Sequence, residues 1–238
     1  MPWNYPIDLY CWKIGPALAT GCPIIVKSPH ETPLAISMLV DCLHEAGFPA
    51  GSIADIPGLG QIAGEALSTH RGIRALSATA SVPAGQAIMR AASVNMKRLC
   101  LELGGHAPFV VMEDADLEEA ARAAHRRGYS NMGQICIAVN RILVSRGIHK
   151  AFAEALSEET RKIRLGHGVE PGVLYGPVLN ERVRTRVRNH LSDAIRRGGK
   201  VLAGGHAPDG DIYDKGYFFE PTLVDDVPDD ALALTEET

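Results

Sequence analysis

The chain has 238 residues, 46% apolar and 22% charged, with 24 Lys and Arg against 28 Asp and Glu for a net charge of −4. That length can bury a real core as one large α/β domain or two smaller ones, and the mild acidity gives no electrostatic reason to expect nucleic acid or a membrane surface as partner. Five scattered cysteines without CxxC spacing argue against a disulfide framework or a zinc site and fit a reducing cytoplasm, and the longest uncharged run, between Lys13 and Lys27, is too short to span a bilayer.

In chain order, Cys22–Lys27 reads as a buried strand. Thr32–Ala46 reads as a helix with apolar positions at 34, 36, 39, 40 and 43 and a stop at Gly47. A strand at Ser52–Ile56 leads into Gly58-Leu59-Gly60-Gln61-Ile62-Ala63-Gly64 and a helix through Leu67. A strand near Ile73–Ser77 is followed by a helix over Val82–Ser93, and Leu101-Glu102-Leu103 reads as an apolar strand. A domain boundary is expected near Gly104-Gly105.

The second half alternates in the same way, with a strand at Pro108–Met112, a helix opened by Asp114–Asp116 and running to about Arg127, a strand at Asn140–Ser145 and a helix at Ile148–Ile163. A further helix at Glu181–Arg197 closes at Gly198-Gly199, and Gly204–Gly216 forms a loop or hairpin leading to Tyr217–Pro221. Arg182, Arg184, Arg186 and Arg188 spread around that helix, which reads as a solvated face rather than a phosphate patch. Repeated strand–turn–helix units predict an α/β fold with doubly wound parallel sheets. The chain starts inside a packed motif at Met1-Pro2-Trp3-Asn4 and stops at Ala233–Thr238 without a closing element, so it reads as truncated at both ends.

Chemistry concentrates at few positions. Cys136 follows glycine and polar residues rather than an apolar run, which suits a nucleophilic thiol better than a core cysteine. Glu102 lies between two leucines, where a desolvated carboxylate could serve as general base; a salt-bridged structural glutamate fits equally. Asn4, between prolines, can donate to an oxyanion or simply form a turn. Gly58-x-Gly60-x-x-x-Gly64 is one residue longer than the dinucleotide fingerprint and also suits an ordinary turn. Ser81 at a helix start caps it and can leave N–H groups for an anion. Lys27 ends a buried strand, where ligands bind in open α/β sheets, although such a lysine can equally be surface.

Taken together, Pro2–Pro6, Trp12–Ala19, Leu101–Gly105, Tyr129–Cys136 and Gly216–Thr222 resemble the aldehyde dehydrogenase superfamily over essentially the whole chain. The resemblance implies an aldehyde-dehydrogenase-like fold, with residues 1–104 a partial dinucleotide-binding domain and 105–238 a partial catalytic domain. It implies NAD(P)-dependent oxidation of a small-molecule aldehyde to a carboxylic acid, in a parent protein that is a homo-oligomer. Cys136 would be the nucleophile, Asn4 and the Cys136 N–H would hold the oxyanion, Glu102 would activate water, and Lys13 would relay protons. For the cofactor, Lys27 would contact the adenine ribose, Gly60 and Gly64 would line the adenine pocket, Ser81 would meet the pyrophosphate and Glu237 would hold the nicotinamide ribose.

Several positions depart from the family pattern. Ala80 precedes Ser81 where a glycine is usual, and its methyl would crowd the cofactor. His30 stands where NAD-preferring members often carry a glutamate, which leaves NADP open alongside NAD. His106 replaces a lysine or asparagine after the glycine pair. Leu101–Val111 and Cys136–Arg141 look closest to succinate-semialdehyde-type members, yet Ser130 stands where these carry an arginine for the substrate carboxylate. Two competing readings remain: a cysteine hydrolase pairing Cys136 with one of nine histidines, none of which lies in an orienting motif, and a non-catalytic remnant.

Overall fold

Strand and helix alternate throughout the computed structural model, which describes residues 1–238. The chain divides into two compact units, Met1–Gly104 and Gly105–Thr238.

The first unit runs α1 (Pro6–Ala19), β1 (Ile24–Val26), α2 (Pro33–Glu45), β2 (Ile53–Asp55), a π-helical turn at Gly60–Gly64 continuing into α3 (Glu65–Thr69), β3 (Ala75–Ala80), α4 (Val82–Ala92) and β4 (Arg98–Leu103). β1 and β2 pair in parallel, with Ile24 opposite Ile53. β3 and β4 pair in parallel from Ala75 opposite Arg98 to Ala80 opposite Leu103. Tyr10, Ile14, Val26, Ile36, Val40 and Ile53 form its core. Of the apolar stripe expected on α2, Ile36 and Val40 are buried, whereas Leu34 faces solvent. Helix α1 has no counterpart among the elements expected from sequence, because Gly15 and Pro16 read as breakers. Pro16 removes one helical hydrogen bond, which costs roughly 3 kcal/mol in a helix interior. Burial of Leu9, Tyr10 and Ile14 offsets this, at about 1.5–3 kcal/mol for a large apolar side chain.

The second unit runs β5 (Pro108–Val111), α5 (Leu117–Tyr129), β6 (Arg141–Val144), α6 (His149–Arg161), α7 (Glu181–Arg196), β7 (Lys200–Ala203), β8 (Leu223–Asp225) and α8 (Leu232–Thr235). β5 and β6 are parallel, with Pro108 opposite Arg141. Ala121 and Ala124 of α5 and Phe152 and Leu156 of α6 bury Val111. The Asp116 carboxylate caps α5 through the Glu119 N–H, and the Asn180 side chain caps α7 through the Val183 N–H.

One pair departs from the all-parallel expectation. β7 and β8 are antiparallel, because the loop after Gly204 doubles the chain back on itself. Gly204 takes φ +68, and a Cβ there would lie 2.2 Å from the Pro221 carbonyl oxygen, so only glycine makes this turn. On α7, Arg182, Arg186 and Arg188 are exposed, while Arg184 bonds Glu181 and lies over the Tyr217 ring. No helix is long and apolar enough to cross a membrane.

Candidate active site

In the first unit, each strand leads to an expected site residue at its carboxyl end. Lys27 follows β1, the Gly60–Gly64 turn follows β2, Ser81 follows β3, and Glu102 is the penultimate residue of β4. Ligands of open α/β sheets bind outside the carboxyl ends of the strands. Since Ala80 pairs with Leu103, Ser81 and Glu102 share one end of the β3–β4 sheet.

Neither Gly60 nor Gly64 takes a positive φ, and a Cβ added at either meets nothing within 4 Å. Neither the backbone nor internal packing demands glycine there, so the bare surface suits an approaching ring. Ser81 occupies the cap position of α4, but its hydroxyl makes no capping bond, contrary to expectation. Pro83 in the first turn already lacks an N–H, leaving fewer donors to satisfy. Ala80 ends β3 in an extended conformation that any residue adopts.

Lys27 is half-buried, and burial lowers its ammonium pKa against the opposing pull of Glu31 and Asp55. His30 is exposed and pairs with Glu31 through Nδ1 at 3.0 Å, so a carboxylate sits beside the position where one was missed. Asn4 accepts the Tyr5 N–H through Oδ1 at 3.1 Å, which fixes the acceptor side of its carboxamide. It borders a shallow depression with Tyr5, Pro6, Ile7, Asp8 and Cys11. Lys13 lies half-buried on α1.

Glu102 is exposed, and the expected desolvation is not found. Alternation along β4 explains this: Leu99, Leu101 and Leu103 take the more covered face, and Arg98, Cys100 and Glu102 take the open one. The neighbouring leucines in sequence therefore do not surround the carboxylate.

In the second unit, Cys136 is half-buried on a turn between α5 and β6, beside a backbone that folds in the left-handed region. Asn131, Met132 and Gly133 have φ of 51, 58 and 72 in succession. Two non-glycine residues so placed cost on the order of 1–3 kcal/mol each. The cost is met locally. Gln134 Nε2 donates to the Asn131 carbonyl at 2.9 Å, and Asn131 Nδ2 donates to the Gln134 carbonyl at 3.3 Å. Gln134 Oε1 accepts the Leu179 N–H, and Met132 packs against the cluster of Ile163, Leu165 and Phe218. No acceptor within the chain takes the backbone N–H of Cys136. Strain held this firmly beside a free cysteine is the pattern of a functional turn. The sequence hints at it only through Asn131 and Gly133.

Glu237 lies in a segment gripped from three sides, an arrangement without a sequence signal. Asp193 Oδ2 accepts the Leu232 N–H at 2.9 Å, the Arg141 guanidinium donates to the Leu234 carbonyl, and His106 Nε2 bonds the Glu236 carbonyl at 2.7 Å. Buried His190 faces Glu236 and Thr238. Nothing local marks these contacts, because each joins residues tens of positions apart.

A half-buried thiol with an uncommitted N–H beside it can attack a carbonyl and stabilise the resulting oxyanion. The bare strand-end turns of the first unit fit a dinucleotide.

The family model for the aldehyde dehydrogenase family matches residues 1–238. A glutarate-semialdehyde dehydrogenase of Pseudomonas putida is 40% identical over 238 residues, with all of this chain and 48% of that protein covered. An NADP(+) succinate-semialdehyde dehydrogenase of Escherichia coli is 37% identical over 237 residues, again covering all of this chain and 48% of that protein. Betaine aldehyde dehydrogenase of Staphylococcus aureus, solved in complex with NAD+, superposes with a TM-score of 0.96 at 37% identity, covering 99% of this chain and 47% of that one. The chain thus spans about half the length of the curated relatives it matches.

Proposed function

The chain belongs to the aldehyde dehydrogenase family, and from that premise we propose that it carries the thiol and cofactor-binding residues of an enzyme that oxidises an aldehyde to a carboxylic acid with NAD or NADP. The observation that carries this reading is the left-handed turn at Asn131–Gly133, which holds Cys136 half-buried with its own backbone N–H uncommitted.

In this reading the Cys136 thiolate adds to the aldehyde carbonyl, forming a thiohemiacetal. Its oxyanion is held by the Cys136 N–H and the Asn4 carboxamide. A bound nicotinamide supplies the acceptor for the hydride that leaves the thiohemiacetal carbon. Glu102 takes a proton from the water that hydrolyses the resulting Cys136 thioester, releasing the acid, and Lys13 passes that proton on. An exposed carboxylate at the end of β4 is open to water, as a hydrolytic base must be.

The cofactor roles divide by unit. Lys27 and the Gly60–Gly64 turn receive the adenosine half, Ser81 and the free N–H groups of α4 meet the pyrophosphate, and Glu237 holds the nicotinamide ribose. The pairing of His30 with Glu31 places an imidazole and a carboxylate side by side at the ribose position, and the reading takes the cofactor as NAD or NADP. Residues 1–104 act as a partial dinucleotide-binding domain and 105–238 as a partial catalytic domain. For substrate, the reading stays with aldehydes as a class, since Ser130 offers no charge for a second carboxylate.

The test follows reduced nicotinamide formation by its near-ultraviolet absorbance across an aldehyde panel. Cys136→Ala should abolish turnover, and Glu102→Gln should give one equivalent of reduced cofactor before stalling as the thioester. Full multiple turnover by Cys136→Ala would sink the reading.

A further inference from the structure

We propose that His106 is a positioning residue that aims Glu237 at a bound dinucleotide, by fixing the peptide between Glu236 and Glu237. The proposal rests on the reading above that Glu237 meets the nicotinamide ribose, and assigns a task to a side chain that reading leaves unused.

Glu237 follows α8, a four-residue helix too short to order its own exit. No hydrogen bond or ion pair within the chain engages its carboxylate, so its direction is set by the backbone that carries it. The bond from His106 Nε2 to the Glu236 carbonyl, at 2.7 Å, grips the peptide that leads into Glu237, and on the other side the Thr238 hydroxyl bonds His190 Nδ1 at 3.1 Å. That carbonyl and the Glu237 N–H belong to one rigid peptide plane, so holding the oxygen orients the Glu237 Cα as well. A carbonyl can only accept, so Nε2 carries the proton. Nδ1 is buried and has no hydrogen-bond partner.

The sheet register shows why position 106 can do this. Pro108 pairs with Arg141, so His106 and Arg141 stand at the same amino end of the β5–β6 pair. From that edge Arg141 takes the Leu234 carbonyl and His106 the Glu236 carbonyl, two grips on alternate residues of one segment. Arg141 anchors the segment, and His106 sets the peptide between Glu236 and Glu237.

The experiment uses the 238-residue chain with His106→Leu and His106→Gln, whose amide can also donate to the carbonyl. Binding of NADH and NADPH is measured by fluorescence, and binding of ADP, which lacks the nicotinamide ribose, by calorimetry. Amide exchange is followed for residues 232–238 and for β5 and β6 as a check on folding. His106→Leu should weaken reduced dinucleotide binding about tenfold and leave ADP binding unchanged. It should also speed exchange at Glu236, whose N–H bonds the Leu232 carbonyl, while β5 and β6 stay protected, and His106→Gln should restore most of both effects. Unchanged dinucleotide binding in His106→Leu, with the unsubstituted chain binding normally, overturns the positioning role alone. Equal weakening of dinucleotide and ADP, or loss of protection in β5 and β6, overturns it in favour of a general structural role. Failure of the unsubstituted chain to bind any nucleotide overturns the cofactor reading itself, and this role with it.

Discussion

Asn131 and Gln134 clasp each other across the turn that leads to Cys136, each side-chain amide donating to the other's backbone carbonyl. The clasp holds a backbone that would otherwise relax out of the left-handed region. Gln134→Ala removes one half of it and also frees the Leu179 N–H. Misplacing a reacting group by about 1 Å can cost on the order of a hundredfold in rate. Gln134→Ala should therefore lower kcat/KM for aldehyde oxidation at least tenfold while cofactor binding is unchanged. Steady-state kinetics beside a fluorescence titration check this, and an unaltered kcat/KM would show that the clasp does not serve the thiol.

Gly133 offers a test on stability alone. It takes φ +72, and a Cβ there would lie 3.1 Å from the Gly128 carbonyl oxygen. Gly133→Ala combines left-handed strain with a steric contact to backbone, for a cost of roughly 1–3 kcal/mol. At about 2–4 °C per kcal/mol for a protein of this size, melting should fall by several degrees. A melting temperature within a degree of the parent would mean that the turn relaxes freely.

Much of this was legible from residues alone, and the exceptions share a cause. Strands and helices with strong local signals, such as Ile24–Val26, Pro33–Glu45 and Leu117–Tyr129, lie within a few residues of where periodicity and caps put them. Helix α1 was hidden because Gly15 and Pro16 break the pattern, and tertiary burial of Tyr10 and Ile14 overrides that local cost. The exposure of Glu102 follows from strand alternation, which flanking leucines obscure. Ser81 stands at the helix start but spends no hydroxyl on the cap, since sequence marks the position and not the rotamer. Asn131, Met132 and the grips on residues 232–236 depend on contacts distant in sequence, which no local pattern encodes.

One buried histidine, His190, and one half-buried, His125, make the second unit acid-sensitive. Burial holds the His190 imidazole below its ordinary pKa, against an opposing pull from Glu236, and likewise His125 against Glu159. The unfolded chain therefore takes up these protons at higher pH than the folded one. Stability is complete above the ordinary histidine pKa of about 6.5 and falls as pH drops below it, until the folded values are passed. Asp193 acts in a lower window. The Leu232 N–H, followed by Arg197, holds its carboxyl below the usual range, so its contribution persists above about 3.9 and is lost as pH falls through the folded value. Urea unfolding at stepped pH should show a decline as pH falls below about 6.5 that His190→Gln reduces. A flat profile below about pH 6.5 would refute the role of histidine burial.

The Gly60–Gly64 turn separates a ligand-driven glycine from a packing-driven one. A Cβ at Gly64 meets nothing in the protein, and its backbone is ordinary helix. Gly64→Leu should therefore leave stability unchanged or slightly improved, since replacing glycine at a compatible position stabilises by about 0.4–1 kcal/mol. If the turn lines an adenine site, the same side chain fills the space where the ring approaches, and binding of ADP and NADH should weaken at least tenfold together. That shared loss differs from the His106→Leu pattern, in which ADP is spared, so the two variants probe opposite ends of one dinucleotide. Melting curves and paired titrations decide it. Unchanged nucleotide affinity in a stable Gly64→Leu protein would remove the turn from the cofactor site.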